Sequence, residues 1–170
     1  ETTGGEVWKS PSGYEGPNQE GWAPNLQEPG TNGMIAARGG LLVADQGNRT
    51  VAFIDQKTRV KTHLAKGFEG KRFNSPNDLV YHADGSLYFT DPPYGLPKQD
   101  EDTSKEIAFN GVYRFTNGKV QAIVKDLTRP NGIAFSPDYK TLYVANTDDK
   151  HKVWMRYDMA ADGSVTNGRV

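Results

Sequence analysis

Ser75-Pro-Asn-Asp-Leu-Val-Tyr-His-Ala-Asp-Gly-Ser-Leu-Tyr-Phe-Thr-Asp-Pro-Pro-Tyr-Gly95 is the fullest copy of a unit that occurs three times in this 170-residue chain. Two short runs of β-branched, aliphatic and aromatic residues, 79–81 and 87–90, flank Asp84-Gly85. Such runs are typical of β-strands, and an Asp-Gly pair supplies the positive φ of a tight turn. The stretch therefore predicts a β-hairpin that follows Asn77.

The same order of features recurs from Asn131 to Asn146 and, more loosely, from Asn32 to Asp45. The asparagines that open the three units lie 45 and 54 residues apart. The second interval is longer because a polar loop at 98–105 separates the second and third strands of its unit. A repeat of this size with several short strands indicates an all-β fold, a β-propeller in which each repeat is one four-stranded blade.

Composition excludes several classes of function. The formal charge is −1, from 20 basic and 21 acidic residues, so a nucleic-acid partner is not expected. The chain has no cysteine, which excludes disulfides, thiolate metal sites and a cysteine nucleophile. No apolar run is long enough to span a membrane. We expect a soluble protein that is cytoplasmic or, after removal of a leader, periplasmic or secreted.

The pattern predicts about three blades, at 31–67, 75–126 and 129–170. Residues 1–30 are expected to hold the outer strand of a preceding blade, at 6–9, and a loop between blades. The predicted strands are 33–37, 41–45, 51–55 and 60–64, then 78–81, 87–90, 111–115 and 120–124, then 132–135, 142–145 and 153–157. The fourth strand of the third blade is expected only to begin where the sequence stops at Val170.

Three blades are fewer than the four to eight that close a propeller ring. An open arc would expose two apolar blade faces, which soluble monomers avoid. Two explanations remain open. A second copy of the chain closes a six-bladed ring as a C2 homodimer, or the chain is a piece of a longer protein whose remainder covers both faces.

Two motifs carry a resemblance to a known family. The first runs from Ser75-Pro-Asn-Asp78 to Asp91-Pro-Pro-Tyr-Gly95, and the second from Arg129-Pro-Asn-Gly132 to Asn146. Together they resemble the gluconolactonase-like branch of the gluconolactonase / senescence marker protein-30 family, over about half of the family's chain. The resemblance implies a propeller of the six-bladed type, one divalent cation in the central channel, and hydrolysis of sugar lactones.

The resemblance also implies which residues form the site. The family takes its ligands from the channel-lining starts of the innermost strands. Asn131 is thereby predicted as a metal ligand, Asn77 as a metal ligand or substrate-binding group, Tyr94 as substrate-binding, and Asp78 as the catalytic carboxylate. Oxygen donors of this kind suit Ca²⁺ best, with Mg²⁺, Mn²⁺ or Zn²⁺ as alternatives. Such a cation would polarise the lactone carbonyl and activate water, with a neighbouring carboxylate taking the proton.

The chain also departs from the family's pattern. The first-blade glutamate of a Glu-Gly-Pro-x-Trp motif has no proper counterpart, since Glu15-Gly-Pro17 lacks the tryptophan at the right spacing. A later aspartate, in a Pro-Asp-Gly motif, would fall beyond Val170, and Ser75 stands where one branch has a substrate-binding arginine. Two alternatives therefore stay open: an inactive half-propeller or binding and assembly module, and a propeller hydrolase acting on other lactones or phosphoesters.

Simpler structural roles compete at each position. Asparagine at a blade start can form a turn or cap backbone groups, and Asp78 can accept hydrogen bonds from nearby backbone amides. Tyr94 can be a packing residue positioned by the two prolines before it. The remaining polar candidates are expected to end strands (Asp45, Asp91 and Asn146), to have no zinc-site spacing (His63, His82 and His151), or to form a solvated loop (100–102).

Overall fold

The structure is a computed structural model that describes residues 31–170. The strand predicted at 6–9 and the loop after it lie outside these residues. The described part contains three four-stranded antiparallel sheets and one short 3-10 helix, Gln99–Glu101. In each sheet every strand pairs with the next along the chain, which is the meander of a propeller blade.

The strands fall into three blades. Blade 1 consists of β1 (Thr31–Ala37), β2 (Gly40–Asp45), β3 (Thr50–Asp55) and β4 (Lys61–Ala65). Blade 2 consists of β5 (Leu79–Tyr81), β6 (Leu87–Asp91), β7 (Gly111–Thr116) and β8 (Lys119–Val124). Blade 3 consists of β9 (Pro130–Phe135), β10 (Thr141–Asp148), β11 (His151–Met159) and β12 (Val165–Arg169). The predicted all-β propeller architecture is confirmed.

Two strand predictions in blade 3 are wrong. The fourth strand does not merely begin at the end of the sequence, because β12 already has five residues, Val165–Arg169, and pairs with β11. Its polar sequence, Thr166-Asn-Gly-Arg169, hides it, since an outer strand needs few apolar residues. Asn146 does not end its strand either, because β10 continues to Asp148 and pairs there with His151.

The predicted turns have the expected backbone. Gly85 has a φ of 83° and donates its N–H to the carbonyl of His82 at 2.9 Å. Asn117 and Gly118, between β7 and β8, have φ values of 50° and 74°. Two successive residues in the left-handed region are typical of the two-residue hairpin turn that asparagine and glycine favour.

The core lies between the blades. We call the face that a blade turns to the following blade its forward face, and the opposite face its backward face. The forward face of blade 1 packs Leu42, Ala44 and Val51 against Phe89 and other residues of blade 2. A second cluster joins the forward face of blade 2 to the backward face of blade 3; its buried members are Tyr88, Val112, Val124, Leu127, Ile133, Leu142, Val144 and Tyr157. Both faces of blade 2 are thus covered, which explains why every residue of β6 is buried.

The loop after β6 folds back onto the start of blade 3. Asp100 forms an ion pair with Arg129 and accepts a hydrogen bond from the Asn110 side chain at 2.9 Å. The buried Arg49 donates from Nη1 to the carbonyl of Ser104 at 3.0 Å. Asp100 therefore holds the loop against blade 3 through these contacts and is not only solvated.

None of the helical segments among residues 31–170 could span a membrane.

Candidate functional site

The two motif segments of blade 2 form one hydrogen-bonded unit. Asp91, at the end of β6, accepts the backbone N–H groups of Asn74 at 2.8 Å and Ser75 at 2.7 Å. The Ser75 hydroxyl donates to the carbonyl of Pro92 at 2.5 Å and accepts the N–H of Gly95 at 2.9 Å. The loop that leads to Asn77 is therefore fixed to the loop that carries Tyr94, and Ser75 serves this connection.

A similar connection positions Asn131 in blade 3. The Asn146 amide oxygen accepts the N–H of Arg129 at 2.7 Å, and Arg129 accepts the N–H of Thr147 at 2.9 Å. The Thr90 hydroxyl donates to the carbonyl of Asn131 at 2.7 Å across the boundary between blades 2 and 3. Asn146 therefore does in blade 3, with a neutral amide, what Asp91 does in blade 2 with a carboxylate.

Hydrogen bonds between the innermost strands bring the three blade starts together. The N–H of Gly33, in β1, donates to the carbonyl of Asn77 at 2.6 Å. Asp78 accepts the N–H of Ile133, in β9, at 3.0 Å. The strand β5 thus lies between β1 and β9, and the residues that open these strands lie side by side at what would be one end of the propeller's channel.

The side-chain amides of Asn77 and Asn131 differ from those of the other core asparagines. Asn77 is 5% exposed and Asn131 is half-buried, yet neither amide forms a hydrogen bond within residues 31–170. By contrast, the side-chain amide nitrogens of the buried Asn74, Asn110 and Asn146 each donate a hydrogen bond to a backbone carbonyl. Among the described residues, the amide atoms of Asn77 and Asn131 are not fully buried, so both groups keep access to solvent or to a ligand. Two available amides at equivalent places in neighbouring blades are consistent with the predicted site, and the role of Asn77 and Asn131 stays a prediction.

Asp78 lies between these two asparagines and makes structural contacts. Its Oδ1 accepts its neighbour Leu79 N–H at 2.9 Å, and its Oδ2 accepts the Ile133 N–H. The carboxylate also occupies the space beside Gly33, where an added Cβ would approach Oδ1 to 2.8 Å. Each carboxylate oxygen has a further lone pair, so a role in proton transfer stays a prediction alongside this structural role.

Tyr94 reaches from blade 2 to blade 3. Its hydroxyl lies 2.7 Å from Oγ1 of Thr147, whose side chain is exposed. Sequence reasoning identified Tyr94 but missed Thr147 and Thr90. The sequence did contain a signal for Thr90, because this hydroxyl residue follows the apolar and aromatic residues 87–89 in the same strand. The structure shows that Thr90 is fully buried.

Carboxylates and imidazoles do not gather at this end of the channel. Within residues 31–170, no three His, Cys, Asp or Glu side chains lie close enough together to hold a metal ion. The histidines lie elsewhere: His63 contacts the Thr50 hydroxyl at 2.8 Å, and His82 packs against Tyr88 and Phe135. The described polar groups at the candidate site are therefore amides, hydroxyls and the single carboxylate of Asp78.

Asp91 is a fully buried carboxyl group whose ionisation should affect the stability of the fold. Burial raises the pKa of its carboxyl from 3.8 to about 7, although the N–H groups of Asn74 and Ser75 and the charge of Arg49 lower it. A carboxyl whose pKa is higher in the folded chain stabilises the fold fully below the unfolded pKa, and this contribution is lost as pH rises through the folded pKa.

The free energy of unfolding should therefore fall between about pH 4 and pH 7 relative to the Asp91→Asn variant, by on the order of 4 kcal/mol. Urea unfolding of both proteins across this range measures the difference in the free energy of unfolding. All other titrating groups are common to the two proteins, so their contributions cancel in this difference. A difference that stays constant with pH would contradict this assignment.

The Thr90 hydroxyl connects the two halves of the site, because it also accepts the N–H of Asp78 at 3.1 Å. Thr90→Val keeps the shape but leaves these backbone groups without their partner, so we expect a loss of about 1–3 kcal/mol in the free energy of unfolding. Thr90→Ser keeps the hydroxyl and is the matched control. Equal urea midpoints for the two variants would show that the hydroxyl bonds contribute nothing.

These features define the class of protein: a β-propeller whose blade starts meet at a polar channel end. Residues 11–170 match the family described as SMP-30/Gluconolactonase/LRE-like region. The chain belongs to this family.

Individual relatives agree with this assignment. The chain is 41% identical over 167 residues to a gluconolactonase of Zymomonas mobilis, a match that covers 96% of this chain and 46% of the relative. The structure superposes on a gluconolactonase of Xanthomonas campestris with a TM-score of 0.74 and 35% identity, over 84% of this chain and 48% of that one. Regucalcin from Agrobacterium tumefaciens, a calcium-binding protein, is similar in fold, with a TM-score of 0.56, 24% identity, and coverage of 82% and 43%. The chain thus spans about half the length of these relatives.

Proposed function

We propose that the propeller to which this chain contributes hydrolyses lactones of sugar acids at the channel end formed by β1, β5 and β9. The observation that carries the proposal is the pair of unpartnered amides, Asn77 and Asn131, at equivalent positions in adjacent blades. Family membership and the names of the Zymomonas and Xanthomonas relatives support the reaction class.

The donors present fit part of a site for a hard divalent cation. Amide oxygens suit Ca²⁺, Mg²⁺ or Mn²⁺, and they are less suited to Zn²⁺, which prefers nitrogen and sulfur. Asn131 and Asn77 would hold the cation, and within residues 31–170 no group of three His, Cys, Asp or Glu side chains adds to them. When bound, such a cation supplies Lewis-acid polarisation of a carbonyl and makes water more acidic.

The chain's own residues then have separate roles. Asn77 and Asn131 face the bound lactone with their amides, while Thr90 and Asp78 fix the distance between the two blade starts. Asp78 is the proposed acceptor of the proton that water loses, through a lone pair that its backbone contacts leave available. The adjacent hydroxyls of Tyr94 and Thr147 orient the sugar hydroxyl groups.

The ring must be completed by a second copy of the chain or by further blades of a longer one. A second candidate function is a non-catalytic binding or assembly arc, which is favoured by the absence of converging carboxylates within the described part. A third is a propeller hydrolase acting on other lactones or on phosphoesters, because a fold does not determine its substrate.

The rate of glucono-δ-lactone hydrolysis, corrected for the spontaneous reaction, tests the proposal. The protein is first treated with a chelator, and Ca²⁺, Mg²⁺, Mn²⁺ or Zn²⁺ is then restored. We expect activity that the chelator removes and one of these ions restores, and a lower rate with a phosphotriester. Inactivity with every ion would favour the non-catalytic arc, whereas a higher phosphotriester rate would favour the third candidate.

A further inference from the structure

Five asparagines in this chain are followed directly by a glycine. An Asn-Gly pair is chemically labile, because glycine has no side chain to shield its backbone nitrogen from the amide carbon of the asparagine. The five pairs lie at 32–33, 110–111, 117–118, 131–132 and 167–168. All five have the same local chemistry, so the folded structure decides which of them can react.

The reaction is an intramolecular displacement that consumes only water. The glycine nitrogen loses its proton to solvent and attacks Cγ of the asparagine, the bond between Cγ and Nδ2 breaks, and Nδ2 leaves as ammonia with a proton from solvent. Water then opens the cyclic imide. Opening at Cγ gives aspartate, whereas opening at the backbone carbonyl gives isoaspartate, in which the main chain continues through the side chain.

Ring closure therefore has three structural requirements. The side-chain amide and the glycine N–H must both be available, and the bond between Cα and the carbonyl carbon of the asparagine must be able to rotate. A hydrogen bond to the amide, to the glycine N–H or to the asparagine carbonyl opposes the reaction, because it must break before the ring can form.

Asn117 and Gly118 meet all three requirements. They form the two-residue turn between β7 and β8, and both residues are exposed. Within residues 31–170, the Asn117 amide, the Asn117 carbonyl and the Gly118 N–H make no hydrogen bond. An added Cβ on Gly118 would have no heavy atom within 4 Å apart from its chain neighbours, so the glycine is open to solvent.

Hydrogen bonds protect the first two pairs. The Gly33 N–H donates to the carbonyl of Asn77 at 2.6 Å, so the attacking nitrogen is occupied. Asn110 is buried, and its amide nitrogen donates to the carbonyl of Thr128 at 2.8 Å. This amide cannot turn toward Gly111 without leaving a buried carbonyl unpaired.

Strand structure protects the last two pairs. The Asn131 amide is available, but the Asn131 carbonyl accepts the Thr90 hydroxyl at 2.7 Å, and the required rotation would break this bond. The Asn167 amide donates to Asp158 at 3.0 Å. The glycine after it packs against Tyr157, where an added Cβ would lie 2.6 Å from the ring. The fold thus preserves the asparagine of the candidate site.

We propose that Asn117 is a modification site at which the folded chain slowly converts its amide to aspartate and isoaspartate, while the other four Asn-Gly pairs stay intact. Aspartate before glycine suits a tight turn. Isoaspartate adds a carbon atom to the backbone, so it should break the pairing of Thr116 with Lys119 that closes the hairpin. The turn lies far from the end of β7 at which Gly111 pairs with Asp91, so the proposal does not depend on the proposed activity.

Incubation of the 170-residue chain at neutral pH and physiological temperature tests the proposal, with one sample folded and one unfolded in guanidinium chloride. Peptide mapping by mass spectrometry follows the amide-to-acid exchange, and tryptic cleavage after Arg114 separates Asn110 from Asn117. In the folded chain we expect Asn117 to react at least several-fold faster than any other Asn-Gly pair. In the unfolded chain all five should react at similar rates. An isoaspartyl-specific methyltransferase should label only the Asn117 peptide of the folded sample.

Asn117→Gly is the matched control, because a Gly-Gly turn also suits the hairpin and has no reactive amide. After incubation, the wild type should unfold at lower urea concentration than before, whereas this variant should keep its midpoint. Equal losses in both proteins would contradict the effect of isoaspartate on the hairpin. Reaction of another pair as fast as that of Asn117 in the folded chain, or reaction of Asn117 only after unfolding, would overturn the inference.

Discussion

Asn131→Ala should reduce kcat/KM for lactone hydrolysis by about 100-fold or more, while the free energy of unfolding stays within about 0.5 kcal/mol of the wild-type value. The reason is that the Asn131 amide makes no hydrogen bond within the described residues, so its removal breaks no hydrogen bond among them. What the variant loses is an oxygen donor at the channel end. Paired measurements of steady-state kinetics and urea unfolding on the same preparations give both quantities.

Asn146→Ala is the matched control for this prediction, because Asn146 aligns with Asp91 and bonds to the backbone of Arg129 and His151. Its loss should lower the free energy of unfolding by about 1–3 kcal/mol. Asn77→Ala should behave like Asn131→Ala. If Asn131→Ala destabilises the protein as much as Asn146→Ala does, Asn131 is a structural residue and the candidate site is misassigned.

Asn74→Ala should lower the free energy of unfolding by about 2–4 kcal/mol, the largest effect on stability expected from any polar residue of the loop before β5. Its buried amide nitrogen donates to the carbonyls of Phe109 at 2.9 Å and Asp91 at 3.3 Å, and to the Asn110 amide oxygen at 3.1 Å. Removing it leaves several buried acceptors unpaired at once. Urea unfolding at constant pH measures the loss.

Asn167→Ala is the control for Asn74→Ala, since the exposed Asn167 makes one side-chain bond, to Asp158 at 3.0 Å. We expect a change of less than about 0.5 kcal/mol for this variant. Asn74→Asp should be at least as damaging as Asn74→Ala, because a carboxylate cannot donate and would add a charge near Asp91. Equal stability of the Asn74 and Asn167 variants would contradict the role given to the Asn74 network.

The blades could be predicted from the sequence because strand alternation and turn chemistry are local. Asp84-Gly85 and Asn117-Gly118 determine their hairpins through backbone φ alone. The pattern fails where a strand has little apolar surface to bury, as at β12, or where pairing extends a strand past its apolar part, as at the end of β10. In both places the partner strand, rather than the local sequence, decides the outcome.

The candidate site could be predicted only in part. Asn74 and Asn77 lie three residues apart in one motif, and nothing in their local sequence distinguishes a structural amide from an available one. The distinction arises from contacts that come from distant residues, such as Phe109. Cross-strand neighbours such as Tyr88 and Arg114 were likewise undetectable in the sequence, because they are brought together only by the strand register.

Calorimetric titration of Ca²⁺, and then of Mn²⁺, into the chelator-treated protein tests the central claim most directly, because it observes ligand binding without requiring catalysis. We predict binding of one of these ions that Asn77→Ala and Asn131→Ala each weaken by at least about 10-fold and that Asn167→Ala leaves unchanged. Binding that both channel variants retain in full, or no binding of either ion to the wild-type protein, would contradict a cation site at these two amides.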